Sequence, residues 1–135
     1  MAEVTHIVDA SALIAYYRRE SGHERFAEIL RCEENVLAMH SINLLEVYYD
    51  YYRSDGASIA DQVWGKTVSF LQLIDKLDEP FLRIVGRWKA TEGISLADAF
   101  AAACAEHHAA CLMTADHKDF DPIEKKKELS IIWIR

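Results

Sequence analysis

With 135 residues, 51% of them hydrophobic and 27% charged, the chain is expected to form one domain (residues 1–135) with a real core, not a disordered segment. No apolar run approaches the ~18–20 residues that cross a bilayer, and no basic stretch followed by an apolar one marks a secretory leader. The net charge of −7 argues against a protein that coats nucleic acid, because phosphate neutralisation supplies most of that affinity. A polyanionic substrate would need cations such as a bound metal to offset the charge, and a basic protein partner suits the acidity equally. Cys32, Cys104 and Cys111 form no C-x-x-C pair and no zinc spacing, so a reducing, cytoplasmic setting is expected.

In chain order, "VTHIV" (4–8) reads as a buried strand, followed by a helix over 11–20 that Ser11 can cap. Ser21 can cap a second helix whose Phe26, Ile29 and Leu30 share a face. "NVLAM" (35–39) is the second strand candidate. Ser41 can cap the next helix, with Leu44, Leu45, Tyr48, Tyr51 and Tyr52 as its apolar side and Asn43, Glu46 and Asp50 as a polar stripe. "SIAD" (58–61) resembles a helix start. "LQLID" (71–75) either ends that helix or forms a short strand, and Asp78, just before Pro80, opens a helix to about Ala90. The Ala-rich stretch 95–109 is strongly helical by propensity, "ACLMT" (110–114) reads as strand, 115–128 as a polar loop with a turn or two of helix, and "SIIWI" (130–134) as a last strand. Strands separated by helices imply parallel pairing and a three-layer α/β/α sandwich with a central parallel sheet. No repeat, low-complexity tract or linker divides the chain.

In such a fold ligands gather beyond the carboxyl ends of the strands. Asp9 ends the first strand and Asp116 lies just past "ACLMT", so both belong on that edge. Asp98 sits in the first turn of the helix leading into that strand, and Glu46 in the helix after the second. Carboxylates brought together repel, and some must take up protons unless a cation compensates them. Mg²⁺ and Mn²⁺ prefer oxygen ligands and lower the pKa of a coordinated water, chemistry suited to phosphodiester hydrolysis. Singly, each acid has a structural explanation: Asp9 as a helix cap, Asp98 in a Ser-x-x-Asp cap, Glu46 in a solvated stripe, and Asp116, Asp119 and Asp121 as turn residues. Their joint placement on one edge favours the functional reading.

Other groups carry less. His107 and His108 suit the dipole at a helix end, His117 an exposed loop, and His6 a core position. The tyrosines of 48–52 suit core and a protein interface, and Lys125–Lys127 a solvated face. No phosphate-binding glycine loop or nucleophile elbow occurs. An aspartyl phosphatase is disfavoured because Ser11, not an acid, stands two residues after Asp9.

"IVDASALIAYY", "SINLLEVYY", "GISLADAFAAACAEHHAACLMTADHKDF" and the closing "IIWI" together resemble a PIN domain of the VapC toxin type, nearly end to end and in order. The coupling of "SLADA" to "T-x-D-x-x-DF" is the most specific part. The resemblance implies a small α/β/α nuclease with a parallel sheet and Mg²⁺ or Mn²⁺. It implies an endoribonuclease acting on RNA, often a homodimer, held inactive by an antitoxin. Carried over by position, the family's four acids fall on Asp9, Glu46, Asp98 and Asp116. Asp119 takes a supporting or water-mediated role, and Ser11 and Thr114 match hydroxyl positions that orient carboxylates. On this reading Asp9, Asp98 and Asp116 bind metal and position the attacking water, while Glu46 is a further ligand or helps take its proton. A PIN nuclease of RNA maturation and a non-catalytic PIN-like binding module are the alternative readings.

Overall fold

The computed structural model describes residues 3–135, which form five strands and seven helices. The strands are β1 (His6–Val8), β2 (Leu37–His40), β3 (Gln72–Ile74), β4 (Cys111–Thr114) and β5 (Ile131–Trp133). They make one parallel sheet in the order β3-β2-β1-β4-β5. The helices are α1 (Ala10–Tyr17), α2 (His23–Arg31), α3 (Ser41–Asp55), α4 (Ala57–Phe70), α5 (Glu79–Glu92), α6 (Leu96–His108) and α7 (His117–Lys125).

The period-2 alternation of each strand divides the core in two. Register places Ile7 beside Ala38 and Leu112, and all three face a cluster built with Phe81, Val85 and Trp88 of α5, most of α6, and Phe120 and Ile123 of α7. Val8, Met39 and Met113 face the opposite cluster, with Leu13 of α1, Phe26 of α2 and Leu44, Val47 and Tyr51 of α3. The expected three-layer α/β/α sandwich is therefore present. Small side chains let α6 lie close against the sheet, and every residue from Asp98 to Ala105 is buried. A helix with so little solvent-facing surface holds Asp98 in place from several sides.

Several helix starts differ from expectation because tertiary contacts decide them. Asp9, not Ser11, caps α1, accepting from the Ala12 amide at 2.9 Å. Gly22, not Ser21, precedes α2 with φ of +92°, and a Cβ there would lie 1.6 Å from the Ile134 carbonyl oxygen. His40, not Ser41, caps α3: its Nδ1 accepts from the Ile42 amide, so Nε2 carries the proton and donates to the Lys76 carbonyl at 2.9 Å. Burial holds that imidazole below its ordinary pKa, against the opposing pull of the Lys76 carbonyl. α4 begins after Gly56, at Ala57. Asp78 and Ser95 cap α5 and α6 as the sequence indicates. Residues 72–74 resolve as a strand, and the polar stretch after β4 contains a nine-residue helix, α7. On α3 the apolar side is narrower than expected: Leu45 and Tyr52 are exposed, while Asn43, assigned to the polar stripe, is fully buried.

Candidate metal centre

The parallel sheet sends Asp9 from β1 and Asp116 from just beyond β4 to the same edge, as their positions predict. Asp9 is 1% exposed, and its carboxylate is held by three donors. Oδ1 accepts from Ser11 Oγ at 2.8 Å and from the Ala12 amide, and Oδ2 accepts from Thr114 Oγ1. Ser11 Oγ in turn accepts from the Ala115 amide at 2.9 Å, and Thr114 Oγ1 from the Asp116 amide at 3.0 Å. Each hydroxyl has one proton and spends it on Asp9. The 3.2 Å approach of the two hydroxyl oxygens is thus a contact without a donor. Ser11 and Thr114, expected to orient a carboxylate, sit where they do so.

Asp98 projects from the first turn of α6, whose cap is Ser95 Oγ, 3.1 Å from the Asp98 amide. Asp116 caps α7, its Oδ1 accepting from the Asp119 amide at 3.2 Å. Asp119 reaches back across the edge to accept from the Ser95 amide at 3.0 Å. One carboxylate oxygen each from Asp98, Asp116 and Asp119 lie within 4.8 Å of one another. Asp119, expected only in support, therefore belongs to the tightest group. Asp9 and Glu46 stand next to it: the charge of Asp9 acts on both Asp98 and Glu46.

The electrostatics follow from burial and crowding. Burial pushes Asp98 up to about 10, reinforced by its hydrogen bonds to Asp119 and Asp116 and by the charges of Asp9 and Asp116. Two carboxyl groups share a hydrogen bond only through a proton, which the pair holds between them. Accepting that bond holds Asp119 below the ordinary carboxylate range. Burial also pushes Asp9 up to about 6, even though Thr114, Ala12 and Ser11 all donate to it. Glu46 is raised by burial and by Asp9, while the Asn43 side chain opposes the rise. Crowded carboxylates with this need for positive charge fit a hard divalent cation such as Mg²⁺ or Mn²⁺, which takes oxygen ligands and removes the repulsion.

Other candidates resolve away from this group. His117 stacks on Trp133 at 3.8 Å between ring centroids, with Nδ1 facing Asp121 and Nε2 facing the Arg135 carbonyl. Both partners are acceptors, so the ring is favoured as imidazolium, its pKa raised first by the Arg135 carbonyl and then by Asp121. His107 and His108 lie in the last turn of α6, and burial, with the neighbouring His107, holds His108 below its ordinary pKa. An apolar hollow lined by Leu45, Tyr48, Asp61, Trp64 and Gly65 lies between α3 and α4, not among the acids. The residue that sequence reasoning passed over is Asn43. Its spacing three before Glu46 signals a shared helix face, but only tertiary structure reveals that it is buried.

The PIN domain family model matches residues 6–126. A comparison with curated protein sequences gives no significant match. Solved structures of similar fold include VapBC2 from Rickettsia felis bound to a promoter DNA fragment, with TM-score 0.76 at 20% identity over 96% of this chain and 98% of that one. DNA-bound VapBC from Salmonella typhimurium has TM-score 0.75 at 17% identity, covering 98% and 99% of the two chains. VapC20 from Mycobacterium tuberculosis, described as a toxin that cleaves the sarcin-ricin loop, has TM-score 0.70 at 12% identity over 87% and 95%. With the family model spanning most of the chain and the parallel sheet carrying its acids on the carboxyl edge, this protein belongs to the PIN domain family.

Proposed function

We propose that the protein is a Mg²⁺- or Mn²⁺-dependent endoribonuclease, the toxin of a toxin–antitoxin pair. The observation that carries this reading is the convergence of Asp9, Glu46, Asp98, Asp116 and Asp119 on one sheet edge, so crowded that the Asp98–Asp119 pair holds a proton without a cation. The toxin assignment draws support from the toxin and toxin–antitoxin structures among the fold's neighbours.

Asp9, Asp98 and Asp116 would hold the cation, with Asp119 beside them and Glu46 at the margin as a further ligand. When bound, the cation supplies the charge that lowers the pKa of a coordinated water and stabilises negative charge developing at phosphorus. The chain's own groups set the geometry. Ser11 and Thr114 fix both oxygens of Asp9, and the buried α6 fixes Asp98. Glu46, half-buried and within reach of the charges of Asp9 and Asp116, would take the proton of the attacking water as its oxygen bonds to phosphorus. The bond from phosphorus to the leaving ribose oxygen then breaks, and solvent returns a proton to that oxygen. A basic antitoxin suits the net charge of −7, and the exposed Leu45, Tyr49 and Tyr52 offer apolar surface for a second copy or a partner.

Titration of Mn²⁺ into antitoxin-free protein, wild type beside Asp9→Asn, tests the metal reading without a guess at the substrate. Saturable binding that weakens at least about tenfold in the variant is expected. Total RNA is then the substrate, with cleavage expected only in wild type plus metal. Wild-type protein that binds no Mn²⁺ at millimolar concentration and leaves RNA intact would sink the nuclease assignment.

A further inference from the structure

Asn43 is a polar side chain that packing alone does not account for. It lies in the first turn of α3, three residues before Glu46, and is 0% exposed. Its Nδ2 donates to the Ala97 carbonyl of α6 at 2.9 Å, and Ala97 immediately precedes Asp98. A side-chain amide has two N–H bonds. One is on Ala97, and Glu46 lies one helical turn further along the same face of α3. Asn43 Oδ1 is buried without a partner. Such an orphan acceptor destabilises the fold, a cost that a leucine of similar size would not incur. The amide is therefore retained at a cost, where α3 meets the first turn of α6.

We infer that Asn43 is a positioning residue: its side-chain amide pins the first turn of α3, which carries Glu46 three residues on, to the first turn of α6 and so sets Glu46 relative to Asp98. The inference rests on the metal reading above and adds to it a residue that does not itself ligate. Asn43 has no charge to compete for a cation, and no other group bridges these two helices at this point among the hydrogen bonds of the described residues. Among the hydrogen bonds of the described residues none reaches the Glu46 carboxylate, whereas Asp9, Asp116 and Asp119 each accept from a backbone amide, so the place of Glu46 depends on how α3 is docked. Losing the amide unties the turn of α3 that leads into Glu46 from α6.

A double-mutant cycle on Mn²⁺ affinity, read by calorimetry with the metal alone, separates this role from a structural one. Wild type, Asn43→Leu, Glu46→Gln and the double variant are compared, with Asn43→Ala replacing Asn43→Leu should circular dichroism show that leucine prevents folding. Asn43→Leu is expected to weaken Mn²⁺ binding about tenfold, the usual scale for a residue that orients a ligand, yet to melt no lower than wild type without metal. In the Glu46→Gln background the same change is expected to cost nothing further, because its effect passes through Glu46. Unchanged affinity in Asn43→Leu, or an equal loss in both backgrounds, would overturn the positioning role while leaving the metal site intact. Wild-type protein without Mn²⁺ affinity would instead overturn the metal reading and this inference with it.

Discussion

A single carboxylate shows how function is set against stability. Asp9 is buried, and its folded pKa of about 6 stands above the ordinary 3.8. The native state therefore resists ionising a group that ionises freely once unfolded. Stability from this group is fully present below about pH 4 and is lost as pH rises toward 6, a penalty of ~3 kcal/mol at neutral pH for metal-free protein. Asparagine keeps the shape without the charge: its Oδ1 can still accept from Ser11 and Ala12, and its Nδ2 can donate to Thr114 Oγ1. Asp9→Asn is thus expected to melt several degrees higher than wild type at pH 7.5 without metal, with the advantage gone near pH 4 and no response to Mn²⁺. Differential scanning fluorimetry at the two pH values checks this, and an Asp9→Asn protein that melts below wild type at pH 7.5 would contradict it. Asp9, Asp98 and Asp116 were legible in the sequence because strand ends and a capped helix start are local signals. The place of Asp119 in the tight trio was not, since it depends on α7 bringing the side chain back toward Ser95. Nor was the burial of Asn43, because period alone cannot distinguish a solvated stripe from one covered by α6.

At the scale of elements, the sequence indicated four of the five strands and six of the seven helices; β3 stood open between a helix end and a strand, and after β4, where a polar loop with a turn or two of helix was expected, Asp116 caps a nine-residue helix. Boundaries were less legible because caps were assigned from side-chain preference alone. Ser21 is a good cap by preference, yet Gly22 precedes α2, because the backbone there runs against the Ile134 carbonyl beyond β5. That approach is a property of the folded chain, invisible in a local window. It makes Gly22 the residue that lets α2 enter beside the end of the sheet. Gly22→Ala would place Cβ on a backbone oxygen and force a left-handed conformation on alanine, so a loss of more than about 2 kcal/mol is expected. Gly56→Ala shares the positive φ but meets no atom within 4 Å, and is expected to cost less. Urea unfolding of the two variants side by side measures the difference, and equal losses would mean that backbone strain, not the Ile134 contact, sets the requirement.

The whole molecule collects its most crowded negative charge at one edge of a sheet that is otherwise packed on both faces. Without a cation, that edge is relieved by protons, the first of them on the Asp98–Asp119 pair. A cation and those protons therefore compete for the same oxygens, and binding one expels the other. The stabilisation from a ligand that binds only the folded state is RT ln(1 + [L]/Kd), about 2.7 kcal/mol at a concentration 100 times Kd. Kd must worsen as pH falls, since more of the carboxylates then hold protons. The rise in melting temperature produced by a fixed Mn²⁺ concentration is accordingly expected to be large at pH 7.5 and to shrink toward zero by pH 5. Taking the difference with and without metal at each pH cancels the opposing effect of His40, whose lowered pKa costs stability as pH falls below 6.5 in either condition. NaCl at matched ionic strength distinguishes specific binding from screening of the −7 net charge, which also grows with pH above the isoelectric point near 5.3 but is reproduced by NaCl, as binding at the acids is not. In Asp98→Asn the proton that blocks the site is gone along with a ligand oxygen's charge, so the Mn²⁺ shift should be small and nearly flat across the range. A shift in wild type that is independent of pH, or one reproduced by NaCl, would mean that the cation does not displace the protons of this edge and that the acids converge for another reason.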